Sequence, residues 1–318
     1  PIDGVATTVV RDVSFDLQSG EALGVVGESG CGKTVTVAAV VGLLRGGGRI
    51  TAGSVHFGGV DLTAAPDDHL RRVRGGQIGW ISQDPIAALD PVFTVGSQLA
   101  EVVRAHRRCT RAEARQRVQE LLAEVRLPDP QRVARSYPHQ LSGGMAQRVG
   151  IAAALAGDPA MVIADEPTTA LDVTVQADIL DLLRSLQQRG TAVILVTHDW
   201  GVLADLCTRA LVMYAGEIVE VATVAAAVHQ PGHPYTAGLL ASNPHQATPG
   251  EPLPQIPGVV PAPAEWPAGC HFQGRCPLAT AECATPVDLL PVAPGADHLA
   301  RCFHTDQVSV GLTAAAVS

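Results

Sequence analysis

The eight residues GESGCGKT, Gly27 to Thr34, restrict the fold of this chain more than any other stretch. They fit G-x-x-x-x-G-K-[ST] in full, after the apolar run ALGVVG and before an apolar segment of helical length at 33–44. Such a loop needs a strand to deliver it and a helix to receive it. Its glycines let successive backbone N–H groups turn inward around phosphate oxygens, and the following helix adds the partial positive charge of its N-terminus. In that frame Gly27, Glu28, Ser29, Gly30, Cys31 and Gly32 cradle the phosphates, and Lys33 reaches the β- and γ-phosphates. The Thr34 hydroxyl is the expected ligand of Mg2+, so the expected cofactors are ATP and magnesium.

The periodicities on either side agree with an α/β protein. Residues 1–27 alternate like strands, and 50–62 read as short strands with Gly turns. From about 95 to 126, apolar residues recur every three or four positions among Arg and Glu, as in two amphipathic helices. Helix, strand, helix and strand then follow near 143, at AMVIAD, over 174–189 and at TAVILVTH, which predicts a parallel sheet covered on both faces. The helical stretch 95–150 reads as an inserted subdomain. Beyond about 225 the chain becomes proline-dense and loses its periodicity, which reads as a separate, loop-rich appendage. With 47% hydrophobic residues the chain can bury a sizeable core. The net charge of −9 argues against a large nucleic-acid footprint. No apolar run reaches the roughly 18 residues of a membrane span, and no signal peptide is visible. The opening at Pro1, without methionine, reads as a trimmed N-terminus.

Further motifs carry chemistry. In AMVIADEP an apolar strand delivers Asp165 and Glu166 at its C-terminal edge, where α/β sheets place ligand sites. Asp165 suits a magnesium ligand and Glu166 a general base that polarises the attacking water. In LSGGMAQR, Ser142 can cap the next helix while Gly143 and Gly144 leave N–H groups open to an anion. A second anion-ready terminus is one more than a single nucleotide needs. These motifs together resemble the nucleotide-binding domains of ABC ATPases. The resemblance covers roughly 1–225 and implies an ABC-type P-loop NTPase core with an antiparallel β subdomain and the helical insertion. It also implies that two domains pair head to tail, the signature of one closing on the γ-phosphate of the other. Carried over residue by residue, it makes Gln83 in ISQDP the Q-loop residue that senses magnesium, and ALD at 170–172, with Asp172, the D-loop. It makes His198 in VTHD the switch histidine at the γ-phosphate. The aromatic that stacks on adenine in this family has no counterpart, since no Tyr, Phe or Trp precedes Phe15.

SQDPIAALDPVFTVGSQLAE, YPHQLSGGMAQRV, DEPTTALDVTVQADIL and HDWGVLADLCTRALVMYAGEIVE are similar to the ATP-binding subunits of dipeptide and oligopeptide ABC importers. Ala146 and Asp90 depart from the common pattern, outside the catalytic set. This resemblance implies a second ABC ATPase subunit as heterodimer partner, two membrane permease subunits and an extracytoplasmic peptide-binding protein. It places the chain peripherally on the cytoplasmic face of the membrane. Nickel or another non-peptide solute is an alternative cargo. A soluble non-transport ABC ATPase is an alternative function, disfavoured by the acidic charge and the lack of coiled coils.

Four of the seven cysteines fall in the tail, spaced Cys270-x5-Cys276-x6-Cys283-x18-Cys302. The segment has little apolar material, so a metal could supply folding free energy. Four thiolates suit zinc or an iron–sulfur cluster, and chemistry alone slightly favours the closed, redox-silent zinc site. The tail at 226–318, with HPYTAGLLASNP and LPQIPGVVP, resembles the extension of the peptide-importer branch, which implies a 4Fe–4S cluster at these four residues. Zinc, disulfides and free thiols remain the alternatives. His271 and His304, beside the cysteines, are alternative ligands but read first as surface histidines, and Cys31, Cys109 and Cys207 as structural or incidental.

Overall fold

The structure, a computed structural model, describes residues 7–169, 171–242 and 254–308. In chain order its elements are β1 (Ala22–Val26), α1 (Lys33–Val40), β2 (His56–Phe57), β3 (Val60–Asp61), α2 (Asp67–Val73), β4 (Ile78–Ile81), α3 (Val95–His106), α4 (Arg111–Glu124), α5 (Pro130–Arg135) and α6 (Gly143–Ala154). They continue with β5 (Met161–Asp165), α7 (Val173–Gln188), β6 (Ala192–Thr197), α8 (Trp200–Leu206), β7 (Arg209–Tyr214), β8 (Glu217–Thr223), α9 (Val224–His229), α10 (Pro234–Ala241), β9 (Leu290–Pro291) and β10 (Leu299–Ala300). One sheet runs β4-β5-β6-β1-β7-β8-β10-β9. Its first five strands are mutually parallel, and β8, β10 and β9 add antiparallel pairings.

β1, β5 and β6 are buried along their whole length, as expected of strands covered on both faces. Their alternation separates two cores. Ala22 and Val26 face one cluster with α4, α7 and α8, while Leu23 and Val25 face the other with α1 and Phe57. At Gly24 a Cβ would lie 2.6 Å from Leu203 Cδ1, so glycine lets α8 approach the sheet closely. Helix starts are set by side-chain caps. Thr110 and Glu113 form a capping box on α4, and Ser142, Asp172 and Asp199 cap α6, α7 and α8. The helices α3 and α4 fall where the periodicity predicts two amphipathic helices, and α5 and α6 follow them.

Two sequence expectations need revising. Residues 7–17 form no strand. Val13, Phe15 and Leu17 do pack against the second core, so the alternation reports a buried face without a hydrogen-bonded ladder. The antiparallel part beyond the main sheet is a short hairpin, β2–β3. Nor is the C-terminal appendage separate. β10 pairs with β8 inside the main sheet, and Tyr235 and Phe272 join Tyr214 in one aromatic cluster with ring centroids 4.7–5.4 Å apart. Glu220, fully buried, accepts from the N–H groups of Gly232 and His233 at 2.9 Å each and meets His298 Nε2 at 2.7 Å. A chain poor in aromatic residues spends several of them on this seam.

Candidate active site

Four parallel strands end at one edge of the sheet, and each delivers a residue singled out by its motif. β1 runs into the glycine loop. Gly27 (φ 158°) could not carry a side chain, because a Cβ there would lie 2.3 Å from the Met213 carbonyl oxygen. Gly32, at φ 107°, is in the left-handed region just before α1. Lys33 is buried and its ammonium donates to the carbonyls of Gly27 (2.7 Å) and Glu28 (3.0 Å). The Thr34 hydroxyl donates to Asp165 Oδ1 at 3.1 Å, which places the two expected magnesium ligands side by side.

β5 ends at Asp165, and Glu166 follows with φ 48°, its N–H donating to the Val196 carbonyl at 2.9 Å. That turn lifts the Glu166 side chain to the strand edge. Its Oε2 accepts from Gln83 Nε2 at 3.3 Å and from the Thr169 hydroxyl at 3.0 Å, and its Oε1 lies 3.5 Å from His198 Nδ1. Gln83 follows β4 and His198 follows β6. Burial, aided by the neighbouring Glu166 charge, pushes the Asp165 carboxyl above its usual value, while the Thr34 hydroxyl and Lys33 pull it back. A divalent cation would relieve that burden. The cluster can hold a phosphate chain and a cation, and it presents a carboxylate and an imidazole to water.

Ser142 and Gly143 are exposed at the start of α6, with the Ser142 hydroxyl accepting from Met145 N–H. Gly144 is required by packing, since a Cβ would meet Val175 Cγ1 of α7 at 2.8 Å. Asp172 caps α7 beside Val173, an apolar side chain 83% exposed. Ala170 lies outside the described residues.

In the tail, Cys270, Cys276, Cys283 and Cys302 line one small cavity together with Arg301 and His304, and all four are unpaired thiols. Burial, reinforced by the other cysteines, pushes Cys270 up to about 11 and Cys276 up to about 12. The His304 N–H donates to Cys302 Sγ at 3.3 Å. Among the described residues, no three His, Cys, Asp or Glu side chains are spaced to hold a metal ion, so neither the zinc nor the iron–sulfur geometry expected at the four cysteines is seen. His271 is not a surface histidine. It is buried against Trp266, with Nδ1 2.7 Å from the Ala215 carbonyl oxygen.

Sequence reasoning missed how this tail touches the glycine loop. Arg275 clasps the Glu28 carboxylate at 2.8 and 3.0 Å, and the Glu28 N–H donates to the Tyr235 hydroxyl at 2.8 Å. Those partners lie more than 200 positions apart, and no local spacing announces them.

A glycine loop at the middle of a parallel sheet, acids on the next-but-one strand and a Gln–Glu–His cluster beside them define an ATP-binding cassette. The profile of the ABC transporter family matches residues 10–169, and that of the oligopeptide/dipeptide transporter C-terminal region matches residues 219–283. The chain therefore belongs to the ABC transporter family, among its ATP-binding, ATP-hydrolysing proteins. It is 47% identical over 306 residues to a probable peptide ABC transporter ATP-binding protein of Sinorhizobium fredii, covering 95% of this chain and 91% of that one. It is 47% identical over 311 residues to the oligopeptide transport ATP-binding protein OppD of Mycobacterium tuberculosis, and there it spans 96% of itself but only 50% of the relative. Among solved structures it is similar to the dimeric ATP-binding cassette MJ0796 bound to ADP and Pi, with TM-score 0.61 and 30% identity, over 68% of this chain and 90% of that one.

Proposed function

We propose that this chain is the motor subunit of an ABC importer for di- or oligopeptides, working peripherally at the cytoplasmic membrane face. The observation that carries the reading is the match of residues 219–283 to the oligopeptide/dipeptide transporter C-terminal region, joined to an ATP-binding cassette in one chain. The cassette spans 1–225, with the helical subdomain at 95–150, and the extension spans 226–318.

In this reading Lys33 and the amides of Ser29 to Gly32 neutralise phosphate charge, the Glu28 amide being held by Tyr235, while Thr34 and Asp165, with Gln83, hold magnesium. Glu166 is the general base and His198 holds water in line with the γ-phosphorus. Ser142, Gly143, Gly144 and Asp172 complete the site of a second ABC ATPase subunit in a heterodimer. The exposure of Ser142, Gly143 and Val173 supports such a seam. Two permease subunits receive the motion, and an extracytoplasmic peptide-binding protein supplies the cargo. The exposed Ile86, Val92 and Phe93, in the loop after Gln83, offer an apolar surface to a permease.

The four tail cysteines would hold a 4Fe–4S cluster, with zinc as the alternative. What supports this is that all four line one small cavity as unpaired thiols. The group would supply the positive charge that lets those thiols ionise.

The test is uptake of labelled peptides by proteoliposomes carrying the complete transporter, with iron and acid-labile sulfide measured on anaerobically purified protein. ATP-dependent peptide uptake with iron and sulfide in near-equal amounts is expected. Uptake of nickel but not peptide would overturn the cargo, and zinc without sulfide would overturn the cluster.

A further inference from the structure

We propose that Arg275, carried by the cysteine segment, is a positioning residue of the nucleotide site that sets the first turn of the glycine loop through Glu28. The two residues are 247 positions apart, yet the contact is bidentate, with Nη1 at 2.8 Å and Nη2 at 3.0 Å from the two Glu28 oxygens. Arg275 is held as firmly on its other sides. Nε donates to the Pro257 carbonyl at 2.7 Å, Nη1 also donates to the Tyr214 hydroxyl at 3.3 Å, and Nη2 reaches the Ile256 and Gly258 carbonyls at 3.4 Å. Its guanidinium carbon sits 5.6 Å from the Tyr214 ring centroid and 5.9 Å from that of Phe272. Each guanidinium nitrogen thus donates, and the side chain is only 7% exposed. A planar fork so occupied has one orientation, which an ammonium could not reproduce.

The grip matters because of what Glu28 does in the loop. Its carbonyl and that of Gly27 accept from the Lys33 ammonium. Its N–H is taken by the Tyr235 hydroxyl of α10, so both its side chain and its amide are held from the C-terminal extension. Without Arg275, the Glu28 carboxylate would lose its bidentate partner beside the phosphate loop, and the loop turn that seats Lys33 would lose its external brace. Both effects act on nucleotide binding rather than on the water-activating cluster at Glu166 and His198. Cys276 is the next residue after Arg275, so the module that gathers the cysteines also aims the guanidinium.

The test is calorimetric MgATP binding to the full chain, combined with KM and kcat in the assembled transporter. Arg275→Ala is expected to weaken MgATP binding about tenfold and raise KM in step, with kcat at saturation within twofold of the parent. In a Glu28→Ala background, Arg275→Ala should produce no further loss beyond twofold, because its effect passes through Glu28. Affinity within twofold of the parent in folded Arg275→Ala would overturn the proposal. So would an equal loss in both backgrounds, which would mark Arg275 as a general brace of the extension. If Arg275→Ala fails to fold, Arg275→Lys keeps the charge and the aliphatic stem but loses the bidentate fork. About threefold weaker MgATP binding is then expected, and unchanged binding would overturn it.

Discussion

Replacing Glu166 by Gln isolates the chemistry of the site from its architecture. The backbone turn at φ 48° and its hydrogen bond to Val196 do not depend on the side-chain charge. A Gln carbonyl oxygen can still accept from Gln83 at 3.3 Å and from Thr169 at 3.0 Å, with its amide turned toward His198, 3.5 Å away. The cost to folding is then no more than one net hydrogen bond, about 1 kcal/mol. What disappears is the basic oxygen facing water. General-base catalysis contributes about 10²–10⁴-fold, equivalent to roughly 3–5 kcal/mol of barrier, so turnover should fall by that factor. Nucleotide binding should survive or tighten. The Glu166 charge is one cause of the raised Asp165 carboxyl, and its removal eases ionisation of that magnesium ligand. Steady-state phosphate release and equilibrium MgATP binding, measured on the same preparations, separate the two effects, and closed dimers should accumulate with ATP. Turnover within threefold of the parent would refute the assignment of Glu166 as the base.

Because burial raises the Asp165 carboxyl, its proton competes with magnesium at a higher pH than at an ordinary carboxylate. Magnesium affinity should therefore fall as pH drops through that raised value, with Asp165→Asn abolishing the dependence; a profile identical to that of an exposed carboxylate would contradict it. The sign for folding is opposite, since burying the charged form disfavours the fold above the raised value and that penalty fades on acidification. Glu220→Ala leaves the Gly232 and His233 amides unpaired in the interior, about 1–3 kcal/mol each, so the melting midpoint should drop by about 6 °C or more. A shift under about 2 °C would show that water or another acceptor replaces the carboxylate. Gly144→Val should displace α6 from α7 against Val175, lowering both stability and ATP-driven dimerisation, as read by thermal melting and light scattering.

Much of the site was legible because its motifs are contiguous. GESGCGKT, ADEP and LSGGM each encode a strand end, a turn or a cap within a few residues, and that is the range over which spacing constrains geometry. The cap at Ser142 and the pairing of Thr34 with Asp165 followed from those motifs. The tail was not legible in the same way. Its elements are two-residue strands and single turns, placed by β8, by the buried Glu220 and by a three-ring cluster that is scattered in sequence. His271 read as exposed because a lone histidine between a cysteine and a phenylalanine has no periodicity to bury it. The strand-like alternation of residues 7–17 shows the converse limit, for it reports which side chains face the core but not where the backbone finds hydrogen-bond partners.

The central claim is that the glycine loop binds and hydrolyses ATP, with Lys33 as its essential cation. Lys33 is buried, and its ammonium is held by carbonyls of the loop itself, so its replacement removes charge from the phosphate cradle without touching the extension. The most direct measurement is magnesium-dependent phosphate release by the assembled transporter carrying either the parent chain or Lys33→Ala. The parent should release phosphate, while the variant should bind MgATP at least tenfold more weakly and release phosphate at background rate. Hydrolysis by Lys33→Ala at the parental rate would contradict the assignment of this loop as the nucleotide site.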